Sequence, residues 1–171
     1  MILVFTGNGK GKTTAAIGQA IRAVGQGKRA VIIKFIKGPW VSGEDNFAKK
    51  NSKLEIIRTG KGFVKILGDK LPFSDHKKAA EEGLKIADQA IKNKKYDLII
   101  LDEINNAVEL KLVSAKKVLD ILKNLPSGID VILTGRNAPK SFIQKADLVT
   151  EMKEIKHAFN KGALAKKGLE Y

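Results

Sequence analysis

Residues 7–14 read Gly7-Asn8-Gly9-Lys10-Gly11-Lys12-Thr13-Thr14, directly after a short apolar run and directly before a stretch of helical periodicity. Few local patterns restrict a fold so tightly. Glycines let successive backbone N–H groups turn toward one point, and a helix N-terminus behind them adds partial positive charge, so the combination holds an oligophosphate. Lys12 can neutralise phosphate oxygens, and the Thr13 hydroxyl is placed to ligate magnesium. The spacing departs from the common G-x-x-x-x-G-K-[ST] loop: Gly7 and Gly11 enclose three residues, and Thr6 stands where the first glycine would be. A cradle one residue short wraps phosphates differently and need not present the γ-phosphorus, which argues against ordinary kinase or hydrolase chemistry.

The rest of the chain alternates apolar runs with amphipathic stretches, the pattern of parallel strands joined by helical crossovers. Strands are expected at residues 1–5, 30–36, 54–57, 98–101, 131–134 and 148–152. The stretch 13–24 places Ala16, Ile17, Ala20, Ile21 and Val24 on one helical face, and Gly25 and Gly27 end it. Ser74 is the expected cap of a long helix to about residue 92. A helix is expected over 114–122, and Pro139 opens another that reaches 146. These elements predict one α/β domain over residues 1–171: a P-loop NTPase-like (RecA-like) three-layer fold with a mostly parallel central sheet. Segments 37–53 and 59–73 are the least regular, and long loops on a rigid scaffold concentrate ligand contacts. The tail from 153 reads as a surface strap or a partner contact.

Composition narrows the function further. The absence of cysteine excludes disulfides, thiolate metal sites and a cysteine nucleophile together. Lys and Arg number 32 against 18 Asp and Glu, a net charge of +14 that suits an anionic partner or a solvated lysine-rich surface. Only Arg22, Arg29, Arg58 and Arg136 are arginines and 6% of residues are aromatic, which is poor material for reading or stacking bases; no specific nucleic acid is expected. No apolar run approaches the roughly 20 residues that span a bilayer, so no membrane is expected and a cytoplasmic protein is.

The second chemical element is Leu98-Ile99-Ile100-Leu101-Asp102-Glu103, an apolar strand that delivers two carboxylates at its C-terminal end. In an open parallel sheet that end faces the ligand crevice. One carboxylate can hold magnesium, with Glu103 preferred over Asp102, and the other can act as a base or an outer ligand. A guanine-reading N-K-x-D is missing, His76 and His157 stand alone, and nothing resembles a nucleophilic triad.

Taken together, these strings resemble the P-loop type of ATP:corrinoid adenosyltransferase. The matching stretches are residues 5–16 around the phosphate loop, Arg22-Ala23-Val24-Gly25-Gln26-Gly27-Lys28, Phe35-Ile36-Lys37-Gly38 with Gly43-Glu44, Leu101-Asp102-Glu103 and Thr134-Gly135-Arg136. Ala146-Asp147-Leu148-Val149-Thr150-Glu151-Met152, Lys156-His157-Ala158-Phe159, Gly162, Ala165, Gly168 and Glu170-Tyr171 complete the match over nearly the whole chain.

The resemblance implies an enzyme that moves the 5′-deoxyadenosyl group of ATP to the Co(I) centre of cobalamin or a precursor corrinoid and releases triphosphate. ATP would lie reversed on residues 7–14, with C5′ toward the metal. Lys12 would stabilise the leaving group, with Mg2+ on Thr13, Glu103 and Asp102. Lys10 and Lys37 either add charge near the triphosphate or are solvated. Arg136 either contacts nucleotide or corrinoid or closes a salt bridge. Trp40 either lines the corrinoid cavity or anchors its loop. Phe63 matches the aromatic wedge that strips the lower cobalt ligand in this family, but Lys65 stands where the Gly-Phe-x-Trp loop carries tryptophan. That difference favours a corrinoid without a lower base. Lys34 replaces a common glutamine, and the first strand begins at Met1 where relatives carry an N-terminal extension. A homodimer and a flavoprotein reductant are expected from the resemblance. The alternative reading is a RecA-like ATP-hydrolysing module associated with nucleic acid.

Overall fold

A run that is apolar at every position has no wet face and must be covered on both sides. The structure is a computed structural model. It describes residues 1–171 except Pro39, Trp40, Lys65, Leu67, Asn124, Ala163, Glu170 and Tyr171, and except the side chains of Phe159 and Lys161. Trp40 and Lys65, both singled out above, therefore lie outside the described residues. Among the described residues, six strands form one sheet: β1 (Ile2–Thr6), β2 (Ala30–Lys34), β3 (Leu54–Arg58), β4 (Leu98–Asp102), β5 (Asp130–Thr134) and β6 (Leu148–Glu151). Their order is β3-β2-β4-β5-β1-β6, and every pairing is parallel.

Side chains alternate across these strands and build two cores. Val31, Ile33, Ile99, Leu101, Val131 and Leu133 join one cluster. It is completed by α3 (Phe73–Lys92), α4 (Ile104–Glu109), α5 (Ala115–Leu122) and α6 (Lys140–Lys145), through residues such as Leu84, Ile104, Val118 and Phe142. Ala30, Ile32, Leu98, Ile100 and Ile132 join the other, under α1 (Lys12–Gly25) and α2 (Gly43–Ala48). On α1 the fully buried residues are Ala16 and Ala20, small enough to let the helix lie close on the sheet, while Ile21 stays exposed. This is the expected three-layer arrangement, and the sheet is wholly rather than mostly parallel. No helix among the described residues is long and apolar enough to cross a membrane.

Parallel strands point their carboxyl ends the same way. The phosphate loop after β1, residues 35–38 after β2, Glu103 after β4 and Arg136 after β5 therefore meet along one edge of the sheet. The tail returns to that edge as a strap on the molecule's own loop: Gly9 N–H donates to the Met152 carbonyl at 2.6 Å, and Lys10 Nζ donates to the Leu169 carbonyl at 2.7 Å.

Several boundaries differ from expectation. The second strand stops at Lys34 rather than 36. Pro72, not Ser74, occupies the cap position of α3, because its fixed φ of −58° already suits the entry to a helix that starts at Phe73. Ser114 does cap α5, accepting from Lys117 N–H. Segment 37–53 is more regular than expected, since α2 forms within it; the Asp45 carboxylate reaches back to both the N–H and the hydroxyl of Ser42, at 2.8 Å each. The other unexpected helix, α4, starts directly after Glu103. Helices of six residues are too short to display an apolar period.

The irregular segment 59–73 is tied down at both ends. Thr59 and Gly60 N–H groups share the Lys34 carbonyl, Gly62 N–H reaches the Ile36 carbonyl, and buried His76 places Nε2 at 3.1 and 3.0 Å from the two carboxylate oxygens of Asp69. Gly60 sits so tightly against the chain leaving β2 that an added Cβ would lie 2.5 Å from the Ile36 carbonyl carbon and 2.7 Å from the Ile36 backbone N and O, atoms that cannot swing aside as a side chain can. Gly60→Ala should therefore lower unfolding stability by about 1–3 kcal/mol. Gly18→Ala, at a helical position with open space around it, should raise stability by about 0.5–1 kcal/mol. Denaturant titration of both variants against the parent checks the pair.

Candidate functional site

Conformation first explains why glycines occupy the loop. Gly7 and Gly11 adopt φ of +96° and +116°, which side-chain-bearing residues rarely reach. A Cβ on Gly9 would lie 2.7 Å from the Met152 carbonyl, and one on Gly7 would collide with the same group. The loop is thus threaded against the chain leaving β6. One consequence is that the Gly9 N–H is already engaged by the Met152 carbonyl, at 2.6 Å. The first-turn N–H groups of Lys12, Thr13 and Thr14 have no carbonyl partner within α1 and supply the anion-binding end. Lys12 Nζ folds back on the Gly9 carbonyl at 2.6 Å. Burial lowers its pKa, opposed by Glu103 and helped by Arg136.

The acidic pair splits into two environments. Asp102 is wholly buried at the end of β4, where its Oδ1 accepts from the Thr13 and Thr134 hydroxyls at 2.7 Å each. Its Oδ2 is buried without a hydrogen-bond partner among the described residues. Asp102 rather than Glu103 is thus the carboxylate in contact with Thr13. Glu103 adopts a left-handed φ of 64°, strained for a residue with a side chain, and its N–H donates to Thr134 Oγ1 at 2.9 Å. Its carboxyl is pushed up to about 7, first by burial and then by the neighbouring Asp102, against the pull of Lys37, Lys12 and Arg136. A hydroxyl, an unpartnered carboxylate oxygen and a second carboxyl are hard oxygen donors of the kind magnesium takes.

These groups border a cavity of about 810 Å³. Its walls include residues 8–14, Lys37, Glu44, Phe63, Glu103 and Arg136. Of the residues expected at the site, Gly7 and Asp102 lie behind the wall. Arg136 has no ion pair among the described residues, and its N–H is held by Asn106 Oδ1 at 2.8 Å. Sequence reasoning did not assign Ile36, Ile66, Asn106, Leu110 or Leu169 to the site, yet all line it. His157 lines it too, while His76 is structural. Apart from the match of Gly43-Glu44 to the family, no sequence signal pointed to Glu44.

Glu103 makes the stability of the ligand-free chain depend on pH. The folded state keeps the Glu103 proton up to about pH 7, whereas the unfolded chain releases it near 4.5. Folding thus binds a proton in that window, and stability falls as pH rises through it. Glu103→Gln should be more stable than the parent at pH 8 by about 1–3 kcal/mol and no more stable at pH 4.5, measured by urea unfolding at both values.

The chain is similar to known proteins along its whole length. The model of the family "ATP:corrinoid adenosyltransferase BtuR/CobO/CobP" matches residues 1–171. A corrinoid adenosyltransferase of Escherichia coli is 36% identical over 172 residues, covering all of this chain and 85% of the relative. Corrinoid adenosyltransferase CobA of Salmonella typhimurium is 33% identical over 177 residues, with the same coverage of both chains. A corrinoid adenosyltransferase of Pseudomonas aeruginosa is 36% identical over 172 residues and is covered to 83%. These matches give no support to a nucleic-acid-associated ATPase. With a family match from the first residue to the last and relatives alike along that whole length, this chain belongs to the ATP:corrinoid adenosyltransferase family.

Proposed function

We propose that the whole chain, residues 1–171, works as one nucleotide-binding domain that transfers the 5′-deoxyadenosyl group of ATP to the Co(I) centre of a corrinoid and releases triphosphate. The carrying observation is the cavity itself. Its walls carry both the phosphate loop with Lys12, Lys37 and Arg136 and the apolar Phe63, Val64 and Ile66. An anion site and an apolar shelf sharing one space suit a triphosphate and a flat macrocycle placed side by side.

In this reading the triphosphate lies on the N–H groups of Lys12, Thr13 and Thr14, with Gly11 giving the backbone its turn and Lys10 and Asn8 at the rim. The ribose methylene faces the apolar side. The electron pair of Co(I) forms the cobalt–carbon bond as the C5′–oxygen bond breaks, and the bonding electrons leave with the triphosphate. No proton moves, so no general base is needed. The protein's work is to place C5′ and to stabilise a departing polyanion with Lys12, Arg136 and Lys37. Magnesium held by Thr13, Asp102 and Glu103 would add charge neutralisation to that leaving group. Phe63, on the apolar side, is the residue for the face of the corrinoid that loses its lower ligand. Family kinship is the only support for a homodimer, a flavoprotein electron donor and a cytoplasmic setting, which complete the proposal.

The test is an anaerobic assay with ATP and a Co(I) corrinoid, following the light-sensitive cobalt–carbon bond and the phosphate product. Triphosphate in equal amount to the adenosylated corrinoid is expected; orthophosphate without adenosylation would overturn the reading. Lys12→Ala should lower kcat roughly 10²–10³-fold, the loss that accompanies removal of one transition-state donor of about 3–4 kcal/mol. Phe63→Ala should impair transfer to complete cobalamin more than transfer to a corrinoid lacking the lower base, and equal losses on both would remove the wedge role.

A further inference from the structure

Lys34 is the largest of the fully buried side chains, 1% exposed, at the carboxyl end of β2. A buried lysine is costly unless its charge is met at close range. Here Nζ donates to Glu44 Oε1 at 2.9 Å and to Ser42 Oγ at 3.1 Å, with Asp45 Oδ2 at 3.4 Å. Arg58 at the end of β3 adds a second cation, its Nε 3.6 Å from Asp45 Oδ1. The two acids receive different treatment. Asp45 is buried and spent within the chain, on Ser42, Lys34 and Arg58. Glu44 keeps 17% of its side chain exposed and is among the residues lining the cavity.

Burial pushes the Glu44 carboxyl up, but the hydrogen bond and the charge of Lys34 act against it, and the pKa is held below its ordinary value. Glu44 is therefore a fixed, ionised acceptor in a wall otherwise rich in cations. Among the described residues the cavity has two further carboxyl groups: Glu109, whose Oε1 accepts from Asn137 at 2.6 Å, and Glu103, which follows the Asp102 that meets Thr13. An anion repels phosphates and accepts from hydroxyls, and in nucleotide sites a carboxylate is a common partner of the ribose diol.

Resting on the function proposed above, we propose that Lys34 is a positioning residue: it aims the Glu44 carboxylate into the cavity as the acceptor for the ribose hydroxyls of ATP, and so sets where C5′ stands relative to the triphosphate. Glu44 touches the substrate; Lys34 acts only through it.

Kinetics with ATP and with 2′,3′-dideoxyATP decide the matter, supported by calorimetric binding of each nucleotide. Glu44→Gln should raise the KM for ATP about tenfold or more, the scale of a lost hydrogen bond to a charged group, and leave the KM for the dideoxy nucleotide unchanged. Lys34→Gln, which keeps a donor near Glu44 but removes the charge, should raise the KM for ATP severalfold and lower kcat with it, because C5′ is held less well in line, again with no effect on the dideoxy nucleotide. The double variant should cost no more than Glu44→Gln alone, because both changes remove one interaction. Equal losses on both nucleotides, or a fall in Tm with unchanged KM, would overturn the proposal. If Lys34→Gln does not fold, Glu44→Gln decides alone by the same criterion. A parent chain that forms no cobalt–carbon bond with ATP overturns the proposed function, whereas a parent that transfers normally and shows no hydroxyl-dependent penalty in the variants overturns only this inference.

Discussion

One buried carboxylate oxygen holds the reactive edge together. Asp102 Oδ1 accepts from Thr13 at the start of α1 and from Thr134 at the end of β5, and Thr134 in turn accepts the Glu103 N–H. Three segments far apart in sequence are thereby fixed to within a hydrogen bond of one another. Such a contact is strong because it is charged and dry, and it costs dearly if a partner is lost. The phosphate loop sits where it does because α1 is moored to β4, and Glu103 is turned into its strained conformation because β5 holds its backbone.

Around this anchor the cavity divides its labour by polarity. Cations and first-turn N–H groups gather where β1, β2 and β5 end, while segment 59–73 contributes Phe63, Val64 and Ile66 to the lining. That segment has little regular structure of its own and depends on ties at its roots: the Lys34 carbonyl takes two N–H groups at one end, and His76 meets Asp69 at the other. Lys34 thus serves twice, with its backbone for the loop and its side chain for α2. A single buried residue couples the position of the apolar shelf to that of Glu44. The tail closes on the phosphate loop, since the carbonyls of Met152 and Leu169 meet Gly9 and Lys10, and Leu169 joins the cavity lining.

The strands were legible because their signal is local. Runs such as Leu98 to Leu101 are apolar at every position, and a strand covered on both faces asks for nothing else. Helix α3 was legible from its length, although its start was misplaced because Pro72 does the work expected of Ser74. Helices α2 and α4 were not, since six residues give no period to read. For Ser42 and Asp45 a capping signal existed in the spacing; for α4, which begins at a left-handed glutamate, there was none. His157, set aside as an isolated histidine, lines the cavity because the tail returns, and nothing in its own neighbourhood announces that return.

The sequence by itself determined the chemistry on offer: a shortened glycine loop ending in Lys-Thr, two carboxylates after an apolar strand, and an arginine after another, each a local pattern with a local physical cause. Only the tertiary structure decided how those groups share the work. It put Asp102 under Thr13 and left Glu103 facing the cavity, withdrew the Gly9 N–H to Met152, and gave Lys34 a partner on the cavity wall. These outcomes depend on which oxygen lies within about 3 Å of which hydrogen across the sheet edge, and hydrogen bonds between distant segments leave no trace in residue order.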